Sequence, residues 1–390
     1  MTALDVAVAI VGGGPAGSTT ALGLVREQGI DPSDVVILEK EVHPREKPCA
    51  GAISTFGVAA LEEMGVALEV PYAPMGGVRV LRGDEVGALR MPLGVVVRRN
   101  EFDASLFRRA EKEGVRTFEG EPLVQLEQGL DGFVLTTHAR TIRAKRLAAC
   151  DGAGSYTRKL LGLKEPARKG HLYVTETPQT DADAGTRADL CDFDLEPTLD
   201  GVEGYYWDFP IVMDGKRCVS RGIYHANITP SKVVKQSLGR HLAKRGVRID
   251  DVELKPFSTR PFVRDTVLAG DGWLLVGEAA GIDRSTGEGI AQAIVFGRIA
   301  AKHLATSLRS GSRAFEGYRS EICDCMMGRH LLQSAWLAPR VYGKRGKPFQ
   351  NYLLRSDFAR EVAARWYEGQ TLGLFTVAKL ALGLARHAVG

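Results

Sequence analysis

"VAVAIVGGGPAGSTTALGLV", residues 6–25, decides how the rest of the chain is read. An apolar, β-branched run leads into G-x-G-x-x-G at Gly12, Gly14 and Gly17. A helical pattern follows, with Ala21, Leu22, Leu24 and Val25 on one side. Strand, tight turn and helix in that order are what a dinucleotide site needs. Gly12 permits the turn, Gly14 lets the backbone approach a pyrophosphate, and Gly17 lets the helix pack on the strand. The helix start adds unpaired N–H groups and the positive end of its dipole. Working outward, "DVVILEK" (34–40) reads as a second strand ending in Glu39. That is about twenty residues on, where an acid binds a ribose hydroxyl. A glycine turn beside a surface Glu does not account for all these parts in order. The motif does not choose between FAD and NAD.

Two later stretches repeat the strand-turn-helix form. "AKRLAACDGAGSYTRKLLGL" (144–163) turns at Asp151-Gly152, and residues 270–304 turn at "GEAAG" and again at Gly287-Glu288-Gly289 before a long helix. Such turns can converge on one extended ligand from several strand ends of an open sheet. Between them, residues 173–225 are poor in helical periodicity and rich in turn signals, β-branched and aromatic residues. This predicts a mostly antiparallel sheet, to which 72–98 adds strands. In "YYWDFP" (205–210), Tyr205, Trp207 and Phe209 share one strand face. From the residues alone, that face reads as cover for an ordinary core.

Taken together, the three glycine-bearing patches resemble the hydroxylase-type FAD fold. Within it, "PREKPCAG" (44–51) and "YYWDFP" are similar to the P-x-x-K-x-C-G-G and Y-x-W-x-F-P patterns of the geranylgeranyl reductase family. Pro44, Lys47, Cys49 and Gly51 match the first; Tyr205, Trp207, Phe209 and Pro210 match the second. "RRNEFDASL" (98–106) resembles the family's R-x-x-F-D helix start and makes Arg99 an expected FAD contact. The resemblance spans residues 5 to 305 and, more weakly, the tail.

It implies an α/β fold: a Rossmann-like FAD-binding domain of the glutathione reductase/p-hydroxybenzoate hydroxylase type, an inserted mostly antiparallel β-sheet substrate domain, and a C-terminal helical region. The boundaries expected are 1–71, 99–165 and 256–306 for the first, 72–98 and 166–255 for the second, and 307–390 for the third. The cofactor contacts implied are Gly12, Gly14, Ala16 and Gly17, then Glu39 and Lys40, then Lys47, Cys49, Ala50 and Gly51. Arg99, Val124, Asp151, Glu278, Gly287, Gly289 and Ile290 complete them. Tyr205, Trp207, Phe209, Pro210 and Arg284 are the implied substrate contacts. Three positions depart from the pattern. Glu278 replaces Asp, Arg284 replaces Pro and puts a cation near the cavity mouth, and Ala50 replaces Gly.

The reaction implied is reduction of carbon–carbon double bonds in an isoprenoid or similar apolar substrate. Hydride would come from reduced flavin, with Cys49 or Tyr205 as the proton donor. A thiol flanked by Arg45 and Lys47 is biased toward thiolate; it can equally be a small packing residue. The rival readings are an FAD-dependent monooxygenase acting on an aromatic or polyketide-like metabolite, and a flavin-binding electron carrier. The sequence holds no second G-x-G-x-x-G, so NAD(P)H would visit the flavin transiently; reduced ferredoxin is the other expected donor and partner.

The bulk numbers fit this reading. A chain of 390 residues exceeds what one core serves. A net charge of +4, with acids and bases interspersed, gives no reason to expect nucleic acid. The six cysteines form no CxxC pairs and the eight histidines have no partner at informative spacing, so no metal is expected. The opening "MTALDVAVAIVGGG" lacks a basic stretch and cleavage site, which predicts a cytoplasmic protein. The tail "TLGLFTVAKLALGLARHAVG" (371–390) is apolar but broken by charge. It reads as a core-packed helix or as an interfacial helix making peripheral membrane contact.

Overall fold

A computed structural model describes residues 2–165, 170–183, 189–226, 229–283, 289–343 and 345–387. The chain opens with β1 (Thr2–Val11), α1 (Pro15–Leu22), β2 (Val35–Leu38), β3 (Ala52–Ser54) and α2 (Thr55–Glu63). A long hairpin, β4 (Tyr72–Arg82) and β5 (Glu85–Val97), precedes α3 (Arg99–Lys112). Then come β6 (Arg116–Phe118), β7 (Gln125–Gln128), β8 (Phe133–Thr136), β9 (Arg140–Ala149) and α4 (Tyr156–Leu160). β10 (Gly170–Pro178), β11 (Leu190–Asp194), β12 (Gly204–Met213) and β13 (Lys216–His225) lead to α5 (Ser231–Ala243). β14 (Lys255–Thr259), β15 (Ala269–Gly270) and β16 (Trp273–Leu275) precede α6 (Ile290–Ser310). The remainder is helical: α7 (Tyr318–Asp324), α8 (Met326–Tyr342), α9 (Lys347–Arg355), α10 (Asp357–Tyr367) and α11 (Leu374–His387).

The first sheet runs β15-β16-β9-β1-β2-β6, with the β7–β8 hairpin attached through β8 to β9. β1 is central and pairs in parallel with β2 and β9. Val8, Ala9 and Ile10 have no exposed surface, as a parallel strand covered on both faces requires. The sequence predicts a one-sided apolar helix after it. Instead α1 is buried on every side, because α3 and α6 both pack against it. The fit leaves no slack: a Cβ on Gly297 of α6 would lie 2.2 Å from Thr19 Oγ1.

The second sheet runs β14-β10-β13-β12-β11-β4-β5-β3, antiparallel except where β11 meets β4. Residues 52–54 and 256–259, read from the sequence with the nucleotide-binding segments, lie in its two edge strands β3 and β14. The chain therefore passes between the sheets from β2 to β3, β5 to β6, β9 to β10 and β14 to β15. Along β12, alternation sends Tyr205, Trp207 and Phe209 to one face, where Tyr342 of α8 and Tyr367 of α10 join the cluster. Tyr206 goes to the other face, against Val234, Leu238 and Leu242 of α5. That face also buries Arg221, which donates to Asp208 at 2.6 Å and Thr177 at 2.9 Å and pairs with Asp183. A guanidinium without exposed surface persists only when its donors are matched in this way.

No described helix is long and apolar enough to cross a membrane. One side of α11 packs against α9, while Leu374, Phe375 and Leu382 stand exposed.

Gly17 is the tightest point of the first sheet's entry, since a Cβ there would sit 1.9 Å from the Gly12 carbonyl oxygen. Gly17→Ala is expected to cost about 1–3 kcal/mol, as overpacking of a filled core does. Chemical denaturation of the variant beside the parent reads this directly.

Candidate functional site

A cavity of about 860 Å³ opens where β1, β2 and β9 end, and Leu172 of β10 and Phe257 and Thr259 of β14 close its far side. Its floor is the β1–α1 turn. Gly12 has φ +106°, and a Cβ on it would lie 2.4 Å from the Cys150 carbonyl oxygen, so any side chain would drive the turn off β9. Gly14 caps α1 without a side-chain cap, and Gly14 and Ala16 line the wall.

Glu39 follows β2 and is buried. Its carboxylate accepts from Gly13 N–H at 2.8 Å and Glu41 N–H at 3.0 Å, which fixes it beside the turn with lone pairs to spare. Lys40 is exposed at the rim. Asp151 is committed locally: it accepts from Ser155 Oγ at 2.6 Å and from Thr157 N–H at 2.8 Å, which starts α4. Val124 is not on the wall, where Leu123 stands instead, and its N–H donates to Thr136 O.

Charge gathers beside the turn, where a Cβ on Gly14 would lie 3.2 Å from the Arg45 guanidinium and Arg45 Nε is 3.6 Å from Glu39 Oε2. Arg99 donates two bonds to Asp103, 2.7 and 2.8 Å, at i,i+4 spacing on α3, and Arg45 reaches the same carboxylate at 3.2 Å. Burial alone would raise the Asp103 carboxyl; Arg99, Arg45 and Lys47 hold it below its ordinary value. Lys47 lies over the Phe257 ring, 3.2 Å from its centroid. Glu278 accepts from Arg260 N–H at 2.9 Å. Burial pushes the Glu278 carboxyl up to about 7, with the Lys47 charge pulling it back, and burial also pushes the Lys47 ammonium down to about 7. The half-buried Cys49 sulfur accepts from Gly51 N–H at 3.4 Å and also meets Arg99. Gly51, at φ +87°, would place a Cβ 2.0 Å from Val97 O, while Ala50 packs into the second sheet's core. Gly289 and Ile290, at the uncapped start of α6, complete the wall.

The fold thus brings Lys47, Cys49, Arg99 and Glu278 together with the β1–α1 turn and the α6 start. Gly287 and Arg284 lie outside the described residues. Tyr205, Trp207, Phe209 and Pro210 are absent from the described cavity wall; the three aromatics are buried, and Tyr205 packs against Phe193, Tyr224 and Tyr342. The reading of the sequence missed Asp103, although the i,i+4 spacing from Arg99 was there to find. It also missed Phe257, Thr259, Tyr224 and Asp283, whose clustering depends on strand pairing. Tyr224 O–H donates to Asp283 at 2.7 Å, and Thr259 bonds the same carboxylate.

The donor set suits a dinucleotide with a flavin. It offers a side-chain-free turn and helix start for pyrophosphate, an anchored acid for ribose, and cations with a half-buried thiol at the far end. Residues 5–191 match the family described as an FAD binding domain. This chain is an FAD-dependent oxidoreductase. Digeranylgeranylglycerophospholipid reductase 2 of Methanopyrus kandleri is 29% identical to the flavoprotein over 327 residues, 77% of each chain. A geranylgeranyl bacteriochlorophyll reductase-like structure from Thermoplasma acidophilum superposes with TM-score 0.71 at 21% identity, covering 97% of this chain and 96% of that one. The flavin-dependent brominase Bmp2 superposes with TM-score 0.72 at 18% identity, covering 94% of each. At these identities the two structures establish a common fold.

Two measurements follow from the charged wall. Asp103→Asn strands the buried Arg99, so it is expected to lower unfolding stability by about 3–5 kcal/mol, the cost of breaking a buried pair. Between pH 4.5 and about 7, Glu278 in the folded chain keeps a proton that the unfolded chain releases. Stability of the flavin-free protein therefore falls as pH rises through that window. Tm recorded against pH should lose this slope in Glu278→Gln, which cannot titrate.

Proposed function

We propose that the flavoprotein reduces carbon–carbon double bonds in an isoprenoid chain. The observation that carries this is the position of the PREKPCAG stretch: Lys47 and Cys49 line the same cavity as Arg99, Glu278 and the β1–α1 turn. The name of the Methanopyrus relative supports the substrate class. FAD, when bound and reduced, supplies a hydride equivalent.

The chain's own residues supply the rest. The β1–α1 turn and the α6 start bind the cofactor's phosphates and the ring edge where negative charge gathers. Glu39 takes a ribose hydroxyl. Leu172, Phe257 and Ile282 give the substrate an apolar wall that excludes water from the reacting alkene. Cys49 donates the proton, because its thiol reaches the cavity beside Arg99. Tyr205 is a positioning residue: it packs on Tyr224, whose hydroxyl holds Asp283 near the wall. Electrons come from a nicotinamide or ferredoxin-type donor. The exposed Leu374, Phe375 and Leu382 of α11 support peripheral contact with the membrane that holds such a lipid.

The test is anaerobic. Photoreduced flavin in the holoenzyme should reoxidise when a geranylgeranyl lipid is added, and the product should gain two hydrogens. Cys49→Ala should slow that step by about 10²-fold or more while photoreduction of its flavin is unaffected. A flavin that stays reduced until oxygen is admitted overturns the reductase reading in favour of oxygen chemistry.

A further inference from the structure

On the α5 side of the second sheet, away from the Tyr205 cluster, three ligand-type side chains meet. Asp194 ends β11, Glu196 follows in the next turn, and His241 comes from α5. One ligand atom from each lies within 4.8 Å of the others. His241 is almost wholly buried, and its ring is stacked on Tyr206 with centroids 4.8 Å apart. Nδ1 lies 2.8 Å from the Ser237 carbonyl oxygen, which can only accept, so the ring's N–H is at Nδ1. Nε2 is buried and has no hydrogen-bond partner.

Nε2 faces Asp194 Oδ2 at 3.5 Å. At that distance no hydrogen bond joins the two atoms. The distance is close to the separation of two ligands on a tetrahedral ion with bonds of about 2.1 Å, which is roughly 3.4 Å. The other oxygens are accounted for. Asp194 Oδ1 accepts from Glu196 N–H at 2.9 Å, and Glu196 Oε2 takes Lys244 Nζ at 2.6 Å, which leaves Oδ2 and Oε1 for a cation. Each carboxylate is thereby oriented by a second contact, as ligands of built metal sites are.

We infer that Asp194, Glu196 and His241 bind a divalent transition-metal ion, zinc by ligand type and spacing, with water in the fourth position. The ion ties β11 and its following turn to α5, which covers one face of the second sheet. It is a structural clamp, remote from the cavity.

The holoenzyme, stripped with a chelator and dialysed, is titrated with Co²⁺ and then with Zn²⁺. One Co²⁺ per chain should bind with the visible bands of a four- or five-coordinate ion, Zn²⁺ should displace it, and Tm should rise. Glu196→Gln, at a partly exposed position that leaves the fold intact, should weaken Co²⁺ binding by more than about tenfold, and His241→Gln by at least as much. Absence of such bands overturns the site. So does equal binding by Glu196→Gln, and the contact is then an imidazolium–carboxylate pair only.

Discussion

Backbone stands where side chains would be, and the rest of this protein is arranged around that. At the β1–α1 turn the Gly12, Gly17 and Cys150 main chains approach so closely that a methyl group at either glycine would overlap a carbonyl oxygen. This lets α1 start directly over the ends of β1 and β9, and it lets α6 lie on α1 through Gly297. Without that contact the cavity would have no floor, and the N–H groups at the start of α1 would not face it. The dinucleotide motif is thus a packing requirement before it is a binding one.

The second sheet meets a different demand, since it separates two unlike environments. One face presents aromatic rings to the C-terminal helices, and the other buries Arg221, Asp208 and their partners under α5. Alternation along β12 assigns each side chain to its face. The edge strands β3 and β14 bring the sheet to the flavin cavity, so the wall that holds Lys47, Cys49 and Phe257 is set where the chain passes between sheets. Charges that would be costly if buried singly are placed there in matched sets: Arg99 and Arg45 on Asp103, and Lys47 against Glu278 and the Phe257 ring.

Much of this was legible in the sequence, for a local reason. Glycine spacing, the acid after β2 and the period-two run of "YYWDFP" are read within a few residues of each other, and each constrains backbone conformation directly. The Cys49 stretch was legible as a wall of the site only through its resemblance to the family pattern, since one loop by itself left the role of the thiol open. Illegible was whether Tyr205, Trp207 and Phe209 face a ligand or a core. Periodicity assigns residues to a face and says nothing of what covers that face, and here Tyr342 and Tyr367 from the far end of the chain do so.

The sequence by itself determined the strand-turn-helix of the dinucleotide motif and the two kinds of sheet. Those follow from hydrophobic period and from glycine's freedom, which are properties of neighbouring residues. Only the tertiary structure decided that Phe257 lies against Lys47, that Tyr224 and Thr259 share Asp283, and that His241 meets Asp194 and Glu196. Such meetings depend on strand register and on which helix covers which face, and both are fixed by packing between segments distant in the chain.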